Sequence, residues 1–284
     1  MPELTDNRLA RPSGAAKPAQ VVVASASVRE GPDASSRLAT QALLGEIVDV
    51  YETQGGFSRV RCHRDHYVGW VIADALSAAI TAPTHKVTAL RTFVYAAPDL
   101  KSSVNSMLSL GARLTITGQE GDYVLAEQAG WVHTRHLALL GALETDPVAI
   151  ADRYLHAPYL WGGRDSLGLD CTGLTQQAFE STGVCLPRDS DMQFAWAGDD
   201  VVDWKVSGAL KRGDLVFWKG HVGIMTDAHR LLHANAWHMA VTREPLEQAI
   251  VRIRTQYAEP IGARRIDIGK LAGQVPHWMV EPVA

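Results

Sequence analysis

The sequence predicts an α+β protein in which two small strand-rich barrels precede a domain whose cysteine-bearing helix packs on an antiparallel sheet. Three observations carry this expectation. A Gly–strand–Gly-Trp-Val pattern occurs twice in the first half. Helical spacing replaces alternation beyond Pro147, and a cysteine opens a helix-patterned segment that strand-patterned runs then follow.

In the first copy of the pattern, Gly45 precedes the strand-like Ile47, Val48 and Val50, and Gly69-Trp70-Val71 opens a further strand that ends near Leu76. In the second, Gly111 precedes Leu114 and Ile116, and Gly130-Trp131-Val132 leads to Leu137. Alternation over a few residues between Gly turns marks short half-buried strands. Two such units of about 55–60 residues suggest two small β-barrels, with Trp70 and Trp131 read as core or barrel-seam residues. The pattern resembles bacterial SH3 domains. The expected boundaries are a flexible leader over 1–19, barrels over 20–80 and 84–140, a third domain over 145–270 and a tail over 271–284.

Composition bounds the rest. Of 284 residues, 46% are hydrophobic and 20% charged, an ordinary globular balance. The net charge of −4 argues against nucleic acid or an anionic membrane as partner. Residues Met1–Gln20 hold no continuous apolar run of the secretory kind, and no stretch is apolar enough to span a bilayer. The expectation is a cytoplasmic protein. Three cysteines cannot all pair within one chain, which fits free thiols.

In the second half, Pro147–His156 has helical spacing, with Ile150 and Tyr154 on one face and Pro147 near the start. The run Cys171–Glu180 places Cys171, Leu174 and Ala178 on one side of a helix, with Asp170 as N-cap and Gly183 as stop. Strand-like runs follow at Asp214–Lys219, His221–Thr226 and Leu231–Ala236.

A thiol attacks a carbonyl as thiolate, and the first turn of a helix lends partial positive charge that favours it. Cys171 has that position; Cys185 reads as packed, and Cys62 lies in a strand with no helix start nearby. The base must come from elsewhere in the chain. His221 follows a strand and a turn, and His233 lies on the next strand, twelve residues on. Side chains alternate with period two, so the two share a face only across an odd-length loop, expected to hold three or five residues at or near Asp227. His238 is a reserve candidate. The histidines show neither a His-Glu-x-x-His nor a paired-cysteine framework, so no metal or other cofactor is expected.

Together, Pro158-Tyr159-Leu160-Trp161-Gly162-Gly163, Asp170-Cys171-Thr172-Gly173-Leu174 and Gly220-His221-Val222-Gly223-Ile224 resemble the NlpC-type, papain-like cysteine peptidases of bacterial cell walls. His233-Ala234, Leu186-Pro187-Arg188 and Gln193 fit the same pattern, over roughly residues 145–270. Paired SH3-like domains ahead of such a domain resemble a known subgroup of that family. The resemblance implies Cys171 as nucleophile, His221 as base and later acid, and His233 as its orienting partner. It further implies Tyr159 as oxyanion donor beside the Cys171 backbone N–H, and substrate contacts from Asp170, Thr172 and Trp161. Asp170 would meet the substrate's free amine, although a plain N-cap is an equal reading. Relatives commonly place Ser where Thr172 stands.

The implied reaction is hydrolysis of the γ-D-glutamyl–diaminoacid bond in peptidoglycan stem peptides; without a secretory signal, a free muropeptide bearing an unblocked L-Ala terminus is the expected substrate and an intact sacculus the runner-up. Two alternatives stand beside it. One is an inactive wall-peptide binding module; the other is a thiol acyltransferase or amidase on the same fold.

Overall fold

The computed structural model describes residues 6–127 and 129–280. They fall into two compact units: residues up to 142 together with 165–167, and residues 143–164 with 168 onward. Among the described residues, no helix is long and apolar enough to cross a membrane.

The first unit is built of strands, with short 3-10 turns at Ala73–Ala75 and Thr134–His136. Its first sheet comprises β1 (Lys17–Val21), β2 (Ser25–Arg29), β3 (Leu38–Leu43), β4 (Ile47–Gln54), β5 (Phe57–Cys62), β6 (Val68–Ile72) and β7 (Leu76–Ser77), in the order β3-β2-β6-β5-β4-β1-β7. Then come β8 (His85–Val87), β9 (Arg91–Tyr95), β10 (Val104–Ser109), β11 (Arg113–Leu114), β12 (Ile116–Glu120), β13 (Tyr123–Ala126), β14 (Gly130–His133) and β15 (Leu137–Leu139). These form a five-stranded sheet, β10-β9-β14-β13-β12, and a three-stranded one, β11-β8-β15. Val28, Val48, Val60 and Val71 centre one core, and Leu43, Val94, Leu108 and Val132 the other.

The sequence pattern has a steric cause. Trp70 pairs with Arg29 where β6 meets β2, and Trp131 pairs with Tyr95 where β14 meets β9. At both places the preceding glycine lets two strands cross closely. A Cβ on Gly69 would lie 2.7 Å from the Arg29 carbonyl oxygen, and one on Gly130 would lie 2.7 Å from that of Tyr95. Both Trp side chains are half-buried at these junctions, in line with a seam rather than a deep core position.

The second unit begins with α1 (Pro147–Asp152), capped by the Asp146 carboxylate on the Val148 N–H. A hairpin of β16 (Arg164–Asp165) and β17 (Gly168–Leu169) leads to α2 (Cys171–Glu180) and α3 (Ser190–Trp196). Next come β18 (Asp199–Asp200), β19 (Leu215–Trp218), β20 (His221–Met225), β21 (Arg230–Asn235), β22 (Ala240–Pro245), α4 (Leu246–Gln256), β23 (Pro260–Arg265) and α5 (Ile268–Leu271). The central sheet is antiparallel in the order β18-β23-β19-β20-β21-β22. Helix α2 packs on β20 and β21 and is buried from Cys171 to Phe179. Helix α4 sets Leu246, Ala249 and Ile253 against Val216, Trp218, Met225 and Leu231.

Three expectations change. The leader is not free up to residue 19: Lys17–Gln20 pairs with Ile47–Val50, Ala19 and Val21 are buried, and the Arg8 carbonyl accepts the Val68 N–H. Alternate apolar side chains there find a core, which outweighs the Pro- and Ala-rich composition; residues 1–5 lie outside the described residues. The tail is likewise engaged, because Trp278 is buried and stacks on Trp196 with centroids 6.2 Å apart; residues 281–284 lie outside the description. Helix α1 stops at Asp152 rather than His156. Ala157 precedes Pro158, which disfavours helical backbone, and His156 sits at φ 70°.

Candidate active site

Helix α2 starts where its cap is. The Asp170 carboxylate accepts the Gly173 N–H at 2.7 Å through Oδ1 and the Gly162 N–H at 2.9 Å through Oδ2. Arg188 clasps the same carboxylate at 3.1 and 2.7 Å, and the Thr172 hydroxyl donates to Oδ1 at 3.0 Å. This closed network fixes the loop and helix start that hold Cys171. Cys171 is buried at the first position of α2, and this helix packs on β20, the strand that His221 opens.

Hairpin parity places the two histidines. Register Ile224↔Leu232 and Met225↔Leu231, with the Thr226 N–H on the Arg230 carbonyl, leaves Asp227–His229 as a three-residue loop. Its centre is Ala228, one residue past Asp227. His221 and His233 therefore share a sheet face, and His221 Nε2 lies 2.8 Å from His233 Nδ1. The next pairing, Leu231↔Glu244, brings Glu244 of β22 to the same face, where its Oε1 lies 2.7 Å from His233 Nε2. Arg252 of α4 closes the line by an ion pair to Glu244 Oε1.

Electrostatics differ from the expectation for Cys171. Burial pushes its thiol up to about 12, and the Asp170 carboxylate adds to this. The Val222 N–H, Arg188 and the Thr172 N–H oppose the rise without reversing it. Helix position alone predicted a lowered value; desolvation of a buried thiolate wins here. His221 lies well below the ordinary imidazole range through burial, then His233, then Arg252. His233 is also lowered by burial, although Glu244 pulls it back upward. Burial alone would raise Glu244, yet the His233 hydrogen bond and Arg252 hold it below the usual carboxylate range. Burial thus disfavours the charged forms of the Cys171 thiol and of both imidazoles, whereas the partners of Glu244 favour its ionised form.

The remaining predicted residues separate into two kinds. Tyr159 is half-buried; its hydroxyl is raised by burial and then by the nearby Cys171, so it stays a proton donor. Its backbone N–H donates to the Met239 carbonyl at 2.9 Å, tying this segment to the turn after β21. Trp161 is 58% exposed and offers a free apolar face. Asp170 and Thr172 are buried and committed to each other and to Arg188, so contact with a substrate amine would require one of those donors to give way. This geometry supports the capping reading of Asp170. His238 bonds Asn235 Oδ1 at 2.9 Å and stands outside the His221–His233 line. Cys62 is buried in β5, and Cys185 lies against Met279 with sulfurs 3.9 Å apart. Among the described residues, no three His, Cys, Asp or Glu side chains are grouped to hold a metal ion.

Sequence reasoning missed Glu244, Arg252 and α4. The helical spacing of Leu246, Ala249, Ile250 and Ile253 was a usable signal for the helix. Nothing local marks Glu244, whose place depends on the length of the turn before β22.

A thiol at a helix N-terminus, a phenol donor near it and a hydrogen-bonded histidine pair on the strand that follows are the parts that nucleophilic acyl transfer needs. Residues 156–258 match the NlpC/P60 family, and residues 28–76 match the bacterial dipeptidyl-peptidase SH3 domain. The chain is 27% identical over 247 residues to a gamma-D-glutamyl-L-lysine dipeptidyl-peptidase of Bacillus cereus, covering 75% of this chain and 72% of that protein. It is 26% identical over 201 residues to dipeptidyl-peptidase 6 of Lysinibacillus sphaericus, covering 70% of each. In fold it is similar to an NlpC/P60 family protein from Bacillus cereus, with a TM-score of 0.72 and 23% identity over 87% of this chain and 99% of that one.

Proposed function

We propose that this chain, whose residues 156–258 match the NlpC/P60 family, is a cysteine peptidase cleaving the γ-D-glutamyl–diaminoacid bond of peptidoglycan stem peptides. The observation that carries this reading is the Cys171 sulfur at the α2 N-terminus, set beside β20, whose first residue His221 is hydrogen-bonded to His233. The substrate bond is supported by the names of the two dipeptidyl-peptidase relatives. Residues 84–140 are read as a second SH3-like barrel, because the Gly130-Trp131 junction repeats the geometry of Gly69-Trp70.

In the proposed mechanism, His221 takes the Cys171 proton as the sulfur attacks the γ-carbonyl carbon. Because burial disfavours the charged form of each group, proton transfer is placed together with carbon–sulfur bond formation in this reading. The oxyanion is met by the Tyr159 hydroxyl and the Cys171 backbone N–H. Collapse breaks the carbon–nitrogen bond, and protonated His221 gives its proton to the leaving amine. Water, deprotonated by His221, then attacks the thioester and releases the glutamyl carboxylate and the thiol.

The physiological substrate is proposed to be a free muropeptide with an unblocked L-Ala terminus, handled in the cytoplasm during wall turnover. The relatives are named as dipeptidyl-peptidases, a class that requires a free amine two residues from the cut. Mass spectrometry of L-Ala-γ-D-Glu-diaminopimelate and of its L-Lys counterpart tests the reading. Wild type is expected to release L-Ala-D-Glu and Cys171→Ala to release none. Intact peptide in both, with intact muropeptides and sacculi also inert, would leave the binding-module reading instead.

A further inference from the structure

The two-histidine line does not end at His233. That ring is fully buried, yet its far nitrogen has a partner: Glu244 Oε1 at 2.7 Å. The same oxygen takes the Arg252 guanidinium, which also lies over the Trp237 ring at 5.7 Å. Three strands and a helix therefore contribute one residue each to a line running His221, His233, Glu244, Arg252.

We propose that Glu244, anchored by Arg252, is a positioning residue that sets the tautomers of both histidines and leaves His221 Nδ1 as the base for Cys171. The argument is one of hydrogen-bond parity. An ionised carboxylate only accepts, so His233 Nε2 must carry the proton that lies between them. A neutral His233 then has a bare Nδ1, which must accept from His221 Nε2–H across the 2.8 Å contact. A neutral His221 with its proton on Nε2 has a bare Nδ1. Glu244 thus acts at a distance of two rings, without touching substrate.

Arg252 makes the device one-way. Together with the His233 hydrogen bond, its charge holds Glu244 below the usual carboxylate range in a partly buried position, where burial alone would favour the protonated acid and so a donor. Among the described residues, Trp218 on β19 packs against the His221 ring, Glu244 on β22 bonds the His233 ring, and the charges of Arg252 on α4 and His238 in the turn after β21 act on the rings from farther away. Glu244 is the one acid among them, so the orientation rests on it. When His221 becomes an imidazolium during attack, the same carboxylate stabilises that charge through His233.

The inference rests on the peptidase reading, and the first test is chosen to stand apart from it. The ring-nitrogen NMR shifts of 15N-histidine-labelled protein near pH 7.5 report tautomers without any substrate. Wild type is expected to carry the proton on Nε2 of both His221 and His233. In Glu244→Met, His233 is expected to populate the Nδ1–H form and His221 to follow. Kinetically, Glu244→Met is expected to lower kcat by about 100-fold with KM little changed. Glu244→Gln, which keeps an acceptor but loses the charge, should fall between, with the acid limb of kcat/KM moved to lower pH. A wild-type His221 protonated on Nδ1 would overturn the proposal. So would Glu244→Met that keeps wild-type kcat and pH profile and merely melts earlier. If wild type turns over no wall peptide, the functional reading fails while the nitrogen spectra still decide the relay.

Discussion

Arg188 holds both carboxylate oxygens of Asp170, at 3.1 Å to Oδ1 and 2.7 Å to Oδ2, in a site where both side chains are buried. The pair links the segment after α2 to the residue that caps α2. Breaking it from one side would strand a buried charge. Arg188→Met is expected to lower the unfolding free energy in urea by about 3–5 kcal/mol, since the remaining carboxylate is desolvated and unpaired. Lysine should restore little of this, because a single ammonium cannot reproduce the two-pronged contact.

The buried thiol makes its own prediction. With its pKa raised to about 12, Cys171 should show no thiolate plateau near neutrality. Iodoacetamide labelling of the Cys171 peptide, followed by mass mapping, is expected to accelerate about tenfold per pH unit between roughly pH 6.5 and 9.5. A rate already flat at pH 7 would mean a preformed thiolate–imidazolium pair.

Acid stability follows from the histidines. Both His221 and His233 have folded pKa values below the unfolded one, so the unfolded chain binds more protons at acid pH. Their contribution is fully present above pH ~6.5 and is lost as pH falls below it, by up to about 1.4 kcal/mol per pH unit for each ring. Urea midpoints from pH 8 to pH 4.5 should show this decline. His221→Gln should make it shallower.

Tyr159 tests the oxyanion role. Removing the hydroxyl in Tyr159→Phe keeps the ring's packing and takes away one donor. The expected result is a loss of about 100-fold in kcat with KM close to wild type. A change confined to KM would place the hydroxyl on ground-state substrate instead.

What the sequence disclosed about this site follows the range of the forces involved. The start of α2 was legible because its cap is local: Asp170 bonds the Gly173 N–H three residues on. The shared face of His221 and His233 was legible because period two and one short loop determine it. Glu244 was not, since its register with Leu231 depends on how residues 236–239 turn, and Met239 there takes a left-handed φ of 50°. The upward push of burial on the thiol was not legible, because a helix start can be read from neighbours, whereas burial is a property of the whole packing. The engagement of Lys17–Gln20 and Trp278 was hidden for the same reason.

The glycine junctions described above carry a consequence for motion. In the first sheet, β2 and β6 share the Arg29↔Trp70 rung, whereas hairpin neighbours such as β5 and β6 are laced along five. In the second, Trp131↔Tyr95 stands in the same place. Short lacing of this kind sets where a sheet breathes first, with the hairpins on either side remaining intact. Amide exchange at Trp70 and Trp131 would then report seam opening well below the global unfolding energy. A bulky substitution at Gly69 or Gly130 is expected to wedge these seams apart, because a side chain there meets the neighbouring strand's carbonyl.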